Sequence, residues 1–272
     1  MTTPRVLILR APGTNCDQET AYAFEQAGAG ADCLHLNRWL ESPTLADQYQ
    51  ILCLPGGFSY GDDVGAGRVF ANRIRNHLRD AAERFIAADK LVLGICNGFQ
   101  VLIKSGILLP DESAVDKSAE GDSASAPATL TWNDSGIFED RWVNLSADGE
   151  RCVFLRGVNS LYLPIAHAEG KFVAVSETVL DRLEQNQQLA LRYANNAAGN
   201  FQAETLPFPA NPNGSQRNVA GVCDASGRVF GLMPHPERFI DRTQHPRWTR
   251  ETLPEEGAGL AIFRNAVQYF AG

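Results

Sequence analysis

Paired cysteines are absent from this chain, and several structural classes go with them. Its 272 residues include six cysteines, at 16, 33, 53, 96, 152 and 223, with no Cys-x-x-Cys pair. A disulfide framework needs patterned, closely spaced cysteines, so free thiols in a reducing compartment fit better. The five histidines do not cluster at ligand spacing either, and no structural zinc is expected. No apolar run reaches the roughly 18 residues of a membrane span, and no basic-plus-apolar leader opens the chain. Positive charge is in deficit, with 24 Lys and Arg against 32 Asp and Glu and a formal charge of −8. That argues against nucleic acid or an anionic membrane surface as a broad partner. A cytoplasmic protein is the expectation. A Gly-x-x-x-x-Gly-Lys-Ser/Thr phosphate loop is also missing. Internal repeats and a domain-separating linker are not found, so residues 1–272 read as one domain.

What is present is an ordinary globular composition, 44% hydrophobic and 21% charged. Apolar runs at Arg5–Leu9, Ala31–Leu36, Gln50–Leu54 and Leu91–Ile95 read as buried strands. Between them, Asp17 can cap a helix running to about Ala27, with Gly28 as its stop. Val69, Phe70, Ile74, Leu78, Phe85 and Ile86 form a helical stripe, predicting one helix over residues 68–88. Strands alternating with helices predict an α/β fold, with a mostly parallel sheet covered on both faces. Residues 111–127 are rich in Asp, Glu, Ser, Ala and Gly, and predict an exposed loop without order of its own. Further strands are expected at Arg141–Leu145, Cys152–Leu155, Lys171–Val175 and Leu189–Tyr193, as a mixed or antiparallel extension. Val219–Val222 and Arg228–Leu232 predict a hairpin across residues 224–227, and residues 257–270 a closing helix.

Three segments carry chemistry. Gly94-Ile95-Cys96-Asn97-Gly98-Phe99-Gln100 follows an apolar strand and opens an amphipathic segment, which is the arrangement of a nucleophile elbow. Cys96 would sit at a helix N-terminus, where the dipole favours thiolate. Gly94 and Gly98 are expected to leave room for the turn and for a substrate. Leu54-Pro55-Gly56-Gly57-Phe58 lies at the end of another strand, and Met233-Pro234-His235-Pro236-Glu237 at the end of a late one. A nucleophile, a glycine loop and a histidine with an acid two residues on form a hydrolase constellation. Cys96 is the candidate nucleophile, His235 the acid–base group and Glu237 its orienter. The backbone N–H groups of Gly57 and Asn97 are candidates for an oxyanion hole, with Gly56 beside them.

These segments resemble the class I, or triad-type, glutamine amidotransferases. Ala11-Pro12-Gly13-Thr14-Asn15-Cys16-Asp17, Phe58-Ser59-Tyr60-Gly61-Asp62, Pro164-Ile165-Ala166-His167-Ala168-Glu169-Gly170, Asn211-Pro212-Asn213-Gly214-Ser215 and His235-Pro236-Glu237-Arg238 narrow the likeness. They resemble the glutaminase-subunit family of phosphoribosylformylglycinamidine synthase. The resemblance implies hydrolysis of L-glutamine to glutamate and ammonia through a Cys96 thioester. It places Gln100 near the substrate amino acid. Segments 167–170 and 211–215 would lie at the site rim or at a synthetase interface, and Arg238 would be a docking residue. It implies a large synthetase subunit and a small bridging subunit as partners. ATP and magnesium would act on the synthetase, with no cofactor bound by this chain. A glutaminase serving another synthetase, a stand-alone cysteine hydrolase of related elbow fold, and a non-enzymatic scaffold are the competing readings.

Overall fold

The computed structural model describes residues 3–110, 126–196 and 205–271. Most of the loop expected at 111–127 therefore lies outside the described residues. The strands are β1 (Arg5–Arg10), β2 (Gly30–His35), β3 (Ile51–Leu54), β4 (Leu91–Ile95), β5 (Ala128–Thr131), β6 (Glu139–Ala147), β7 (Ser160–His167), β8 (Lys171–Ala174), β9 (Leu191–Ala194), β10 (Val219–Cys223) and β11 (Val229–Leu232). The helices are α1 (Asp17–Gln26), α2 (Leu36–Glu41), α3 (Arg68–His77), α4 (Arg79–Ala87), α5 (Asn97–Ser105), α6 (Glu177–Gln185) and α7 (Leu260–Gln268).

Nine strands form one sheet in the order β2-β1-β3-β4-β11-β10-β9-β6-β7. Pairings from β2 to β11 are parallel, and those from β11 to β7 are antiparallel. The α/β class and its mixed extension are as the sequence predicts. Every residue of β3, β4, β10 and β11 is buried. Such strands are covered on both faces, which is why they read as unbroken apolar runs rather than alternations. Helix α5 packs into the same core, burying Phe99, Val101, Leu102 and Ile103. Gly98 makes that approach possible, since a Cβ there would lie 1.9 Å from the Leu54 carbonyl oxygen. The room left by Gly98 thus serves helix–strand packing, not the substrate.

Several expectations need correcting. The stripe over 68–88 is two helices, because Leu78 adopts φ −126° and turns the axis. The turn lets Phe70 and Ile74 on one half, and Ala82 and Phe85 on the other, all reach the core. Asp17 does not cap α1. Cys16 occupies that position without a side-chain cap, and Asp17 pairs with Arg10 at 3.2 Å. Cys152–Leu155 is not a strand; Val153–Leu155 is a 3-10 turn whose Phe154 stacks on Phe230 at 5.8 Å. A short apolar run can be buried by side chains alone, without a ladder. β8 leaves the main sheet and pairs with β5 in a separate ribbon. β7, β5, α2 and α6 were not anticipated. Among the described residues no helix is long and apolar enough to cross a membrane.

Candidate active site

The parallel strands deliver their loops to one edge, as open α/β sheets do at their carboxyl ends. Cys96 follows the last residue of β4 and precedes α5 with φ 51° and ψ −106°. A side-chain-bearing residue held in that region costs on the order of 1–3 kcal/mol. Neighbours hold it there: its N–H donates to the Leu232 carbonyl at 2.8 Å, and its carbonyl accepts from the Phe99 and Gln100 N–H groups. The thiol is 5% exposed and faces the Ala166 carbonyl at 3.6 Å. Asn97 is the first residue of α5, so its N–H has no intrahelical acceptor.

β11 lies beside β4 and carries His235 to the same edge. The His235 N–H donates to the Pro164 carbonyl at 2.8 Å, which fixes the residue against β7. Its ring Nδ1 meets Glu237 Oε1 at 2.6 Å, and both side chains are buried. A carboxylate only accepts, so Nδ1 carries the proton, and Nε2 is buried without a hydrogen-bond partner among the described residues. Burial opposes charge on the imidazole. The Glu237 carboxylate and then Cys96 outweigh it, and His235 is held well above the ordinary histidine value. Glu237 is 1% exposed, so it is not a surface ion-pair partner. Arg238 pairs instead with Glu19 at 2.9 Å and donates to Cys16 Sγ at 3.3 Å.

Two cavities meet at Cys96. One, of about 260 Å³, is lined by Gly57, Asp62, Cys96, Gln100, Trp132 and Glu169, among others. The other, of about 220 Å³, is lined by Asn15, Cys16, Gly57, Cys96, His235 and Arg238, among others. A larger groove of about 670 Å³ adjoins the first through Asp62, Trp132 and Glu169, but among the described residues no cysteine or histidine lines it. Gly57 has φ +136°, and a Cβ on it would lie 2.7 Å from the Asn15 nitrogen. Gly56 stands against the His235 ring, where a Cβ would lie 2.8 Å from Cε1. The Asn97 side chain turns inward, accepting from the Ser59 N–H and donating to Asp62 and to Gln100 Oε1. Gln100 in turn donates to the Glu169 carbonyl at 2.7 Å. Gln100 therefore lines the first cavity as a braced wall. Burial raises Asp62 on this wall and lowers Lys104, which lines the larger groove, from their ordinary values.

A buried polar scaffold stands behind the first cavity. His167 Nδ1 is 3.1 Å from Asn133 Oδ1, an atom that also accepts from the Gly170 N–H. Asn133 Nδ2 donates to the Ile137 and His167 carbonyls. Oδ1 is thus the acceptor, and the His167 proton resides on Nδ1. Burial, with His235 adding to it, pushes His167 down to about 3. Asn213 donates to the Gly170 carbonyl at 2.8 Å and to the Tyr193 hydroxyl at 3.0 Å. Asn211 Oδ1 accepts from the Gly214 and Ser215 N–H groups. Segment 211–215 is therefore a buried brace, whereas His167, Ala168 and Glu169 line the cavity itself. Cys16 is the residue sequence reasoning left without a role. It stands beyond the end of β1, on the same edge as Cys96, and burial pushes its thiol up to about 11.

Comparison with known proteins gives the family of the chain. Residues 3–270 match the family model of the CobB/CobQ-like glutamine amidotransferase domain. The phosphoribosylformylglycinamidine synthase subunit PurQ of Dehalococcoides mccartyi is 46% identical over 270 residues, covering 99% of this chain and 98% of that protein. The PurQ subunit of Methanococcus maripaludis strain C5 is 40% identical over 277 residues, covering 98% of each. Among solved structures, a chain of PurLQS from Thermotoga maritima matches with a TM-score of 0.70 at 30% identity, covering 99% of this chain and 100% of that one. The chain belongs to the CobB/CobQ-like glutamine amidotransferase family, on the branch of the phosphoribosylformylglycinamidine synthase PurQ subunits.

Proposed function

We propose that this chain is the glutaminase subunit of phosphoribosylformylglycinamidine synthase. It hydrolyses L-glutamine and supplies ammonia to an ATP-dependent synthetase that converts formylglycinamide ribonucleotide to formylglycinamidine ribonucleotide. The observation that carries the chemistry is the buried His235–Glu237 bond of 2.6 Å beside an elbow cysteine. The Cys96 thiolate attacks the carboxamide carbon of glutamine. The tetrahedral oxyanion is stabilised by the N–H groups of Gly57 and Asn97. Collapse breaks the C–N bond, ammonia leaves with a proton from His235, and a glutamyl thioester remains on Cys96. Water then attacks, giving its proton to His235, and glutamate departs as the thiol reforms. Glu237 holds the imidazole tautomer throughout. Gly56 keeps the loop close to His235, and Gln100 shapes the cavity that takes the amino acid.

Ammonia that escaped to solvent would be protonated and lost as a nucleophile, so a partner must close over the site. The rim suits one: Phe58, Trp132 and Phe138 are exposed apolar side chains at the mouth, with Phe58 and Phe138 6.2 Å apart. A large synthetase subunit and a small bridging subunit are the partners, with ATP and magnesium on the synthetase. The test compares glutamate release by wild type and Cys96→Ala, with and without synthetase, bridging subunit, nucleotide substrate and ATP. Activity that needs Cys96 and rises with the synthetase is expected. Cys96-dependent release indifferent to that synthetase would reassign the partner, and release without Cys96 would sink the mechanism.

A further inference from the structure

His235 faces more than one thiol. Cys16 Sγ, a ring nitrogen of His235 and a carboxylate oxygen of Glu237 lie within 4.8 Å of one another, and all three residues are buried. Two atoms of this group, His235 Nε2 and Glu237 Oε2, are buried without a hydrogen-bond partner among the described residues. Cys16 and Cys96 open onto the same cavity of about 220 Å³. The Cys16 thiol is held in place: it donates to Asn15 Oδ1 at 3.2 Å and accepts from Arg238 at 3.3 Å. The Arg238 charge is itself balanced by Glu19 at 2.9 Å.

This donor set has a chemical preference. Sulfur and imidazole nitrogen suit zinc and its neighbours, whereas magnesium and calcium want oxygen. The Glu237 bond to Nδ1 leaves Nε2 as the coordinating atom, with a carboxylate behind the imidazole as metal-bound histidines usually have. We propose that Cys16 and His235, with Cys96 across the cavity, form a site for a thiophilic divalent cation, and that occupancy shuts off the nucleophile and its base together. Binding displaces the thiol and imidazole protons and makes no other covalent change. Metal binding stands independently of the glutaminase reading, and only the inhibition rests on it.

The experiment uses the purified full chain with Zn²⁺ and Co²⁺. Equilibrium dialysis measures stoichiometry, and the thiolate-to-cobalt charge-transfer band reports sulfur ligation. Glutamate release, in the presence of the synthetase partners, is titrated with Zn²⁺ and normalised to each variant's metal-free rate. Wild type should bind one ion, show the band and lose activity, with recovery on chelation. Cys16→Ala and Cys16→Ser should weaken binding and inhibition about tenfold or more and diminish the band. Equal zinc affinity in wild type and both variants, with their far-UV spectra native, would overturn the site. Cys16-dependent binding in a chain that releases no glutamate would uphold the site and overturn the function.

Discussion

Acid should destabilise this protein through one residue, His167. The residue is 3% exposed, its Nδ1–H is committed to Asn133, and its Nε2 has no partner among the described residues. Burial and the neighbouring His235 push its value from 6.5 down to about 3. The folded state therefore refuses a proton that the unfolded chain accepts. Between those two values the unfolded state binds more protons, so stability rises with pH there and is lost as pH falls below about 6.5. At about 1.4 kcal/mol per unit, His167 alone removes about 2 kcal/mol between pH 7.5 and 5. With an m value of roughly 3 kcal/mol/M, the urea midpoint drops by about 0.7 M from this source. Other groups titrate in the same range, so the assay is a difference. His167→Asn keeps a side-chain N–H for Asn133 and removes the titration. Urea melts of both proteins at pH 7.5, 6 and 5 should show the variant weaker at pH 7.5, through the lost ring, yet closing the gap by about 2 kcal/mol at pH 5. Parallel losses in the two proteins would refute the buried neutral imidazole.

Other consequences follow from the same geometry. Glu237→Gln removes the charge that holds His235 protonated, and glutamate release should fall about 10²- to 10⁴-fold while the melting temperature stays within a few degrees; a loss under tenfold would remove Glu237 from the mechanism. Gly98→Ala puts a Cβ 1.9 Å from the Leu54 carbonyl oxygen, so α5 must shift. Stability should drop by about 3 kcal/mol or more, and a neutral effect in urea unfolding would contradict the packing. Asn213→Ala strands the Tyr193 hydroxyl in the interior and leaves the Gly170 carbonyl with a long 3.5 Å bond from the Ser215 hydroxyl. A cost of about 2–4 kcal/mol is expected, and under about 0.5 kcal/mol would mean that water replaces the side chain.

The buried parallel strands were legible because burial on both faces leaves unbroken apolar runs, as at Leu91–Ile95 and Ile51–Leu54. The hairpin of β10 and β11 was legible from its turn residues. β7 was harder: its alternation contains Pro164, and its outer face carries Tyr162 and Ala166 rather than charge. α6 does carry a readable signal, with Ser176 capping through the Val179 N–H and Leu180 and Leu183 buried. Cys96, His235 and Glu237 stand in motifs that name their chemistry. Cys16 and Glu169 do not, since their place depends on which strands become neighbours. The order β1-β3-β4-β11 brings the Cys16 loop beside Cys96 and His235, while Glu169 reaches the site from the end of β7, where its carbonyl accepts from Gln100; no local pattern encodes either.

That strand order also sets a schedule for assembly. β11 is the last strand along the chain among the described residues, yet it lies in the interior of the sheet, between β4 and β10. Until it docks, β4 presents an open edge beside the cysteine, and the antiparallel half has nothing to join. Contacts between elements so distant in sequence form slowly, and an unpaired apolar edge invites association with other chains. The strand that seals this edge also carries His235 to Cys96, so a chain in which β11 has not docked holds the cysteine without the histidine. The step that completes the sheet is thus also the step that brings the candidate site together.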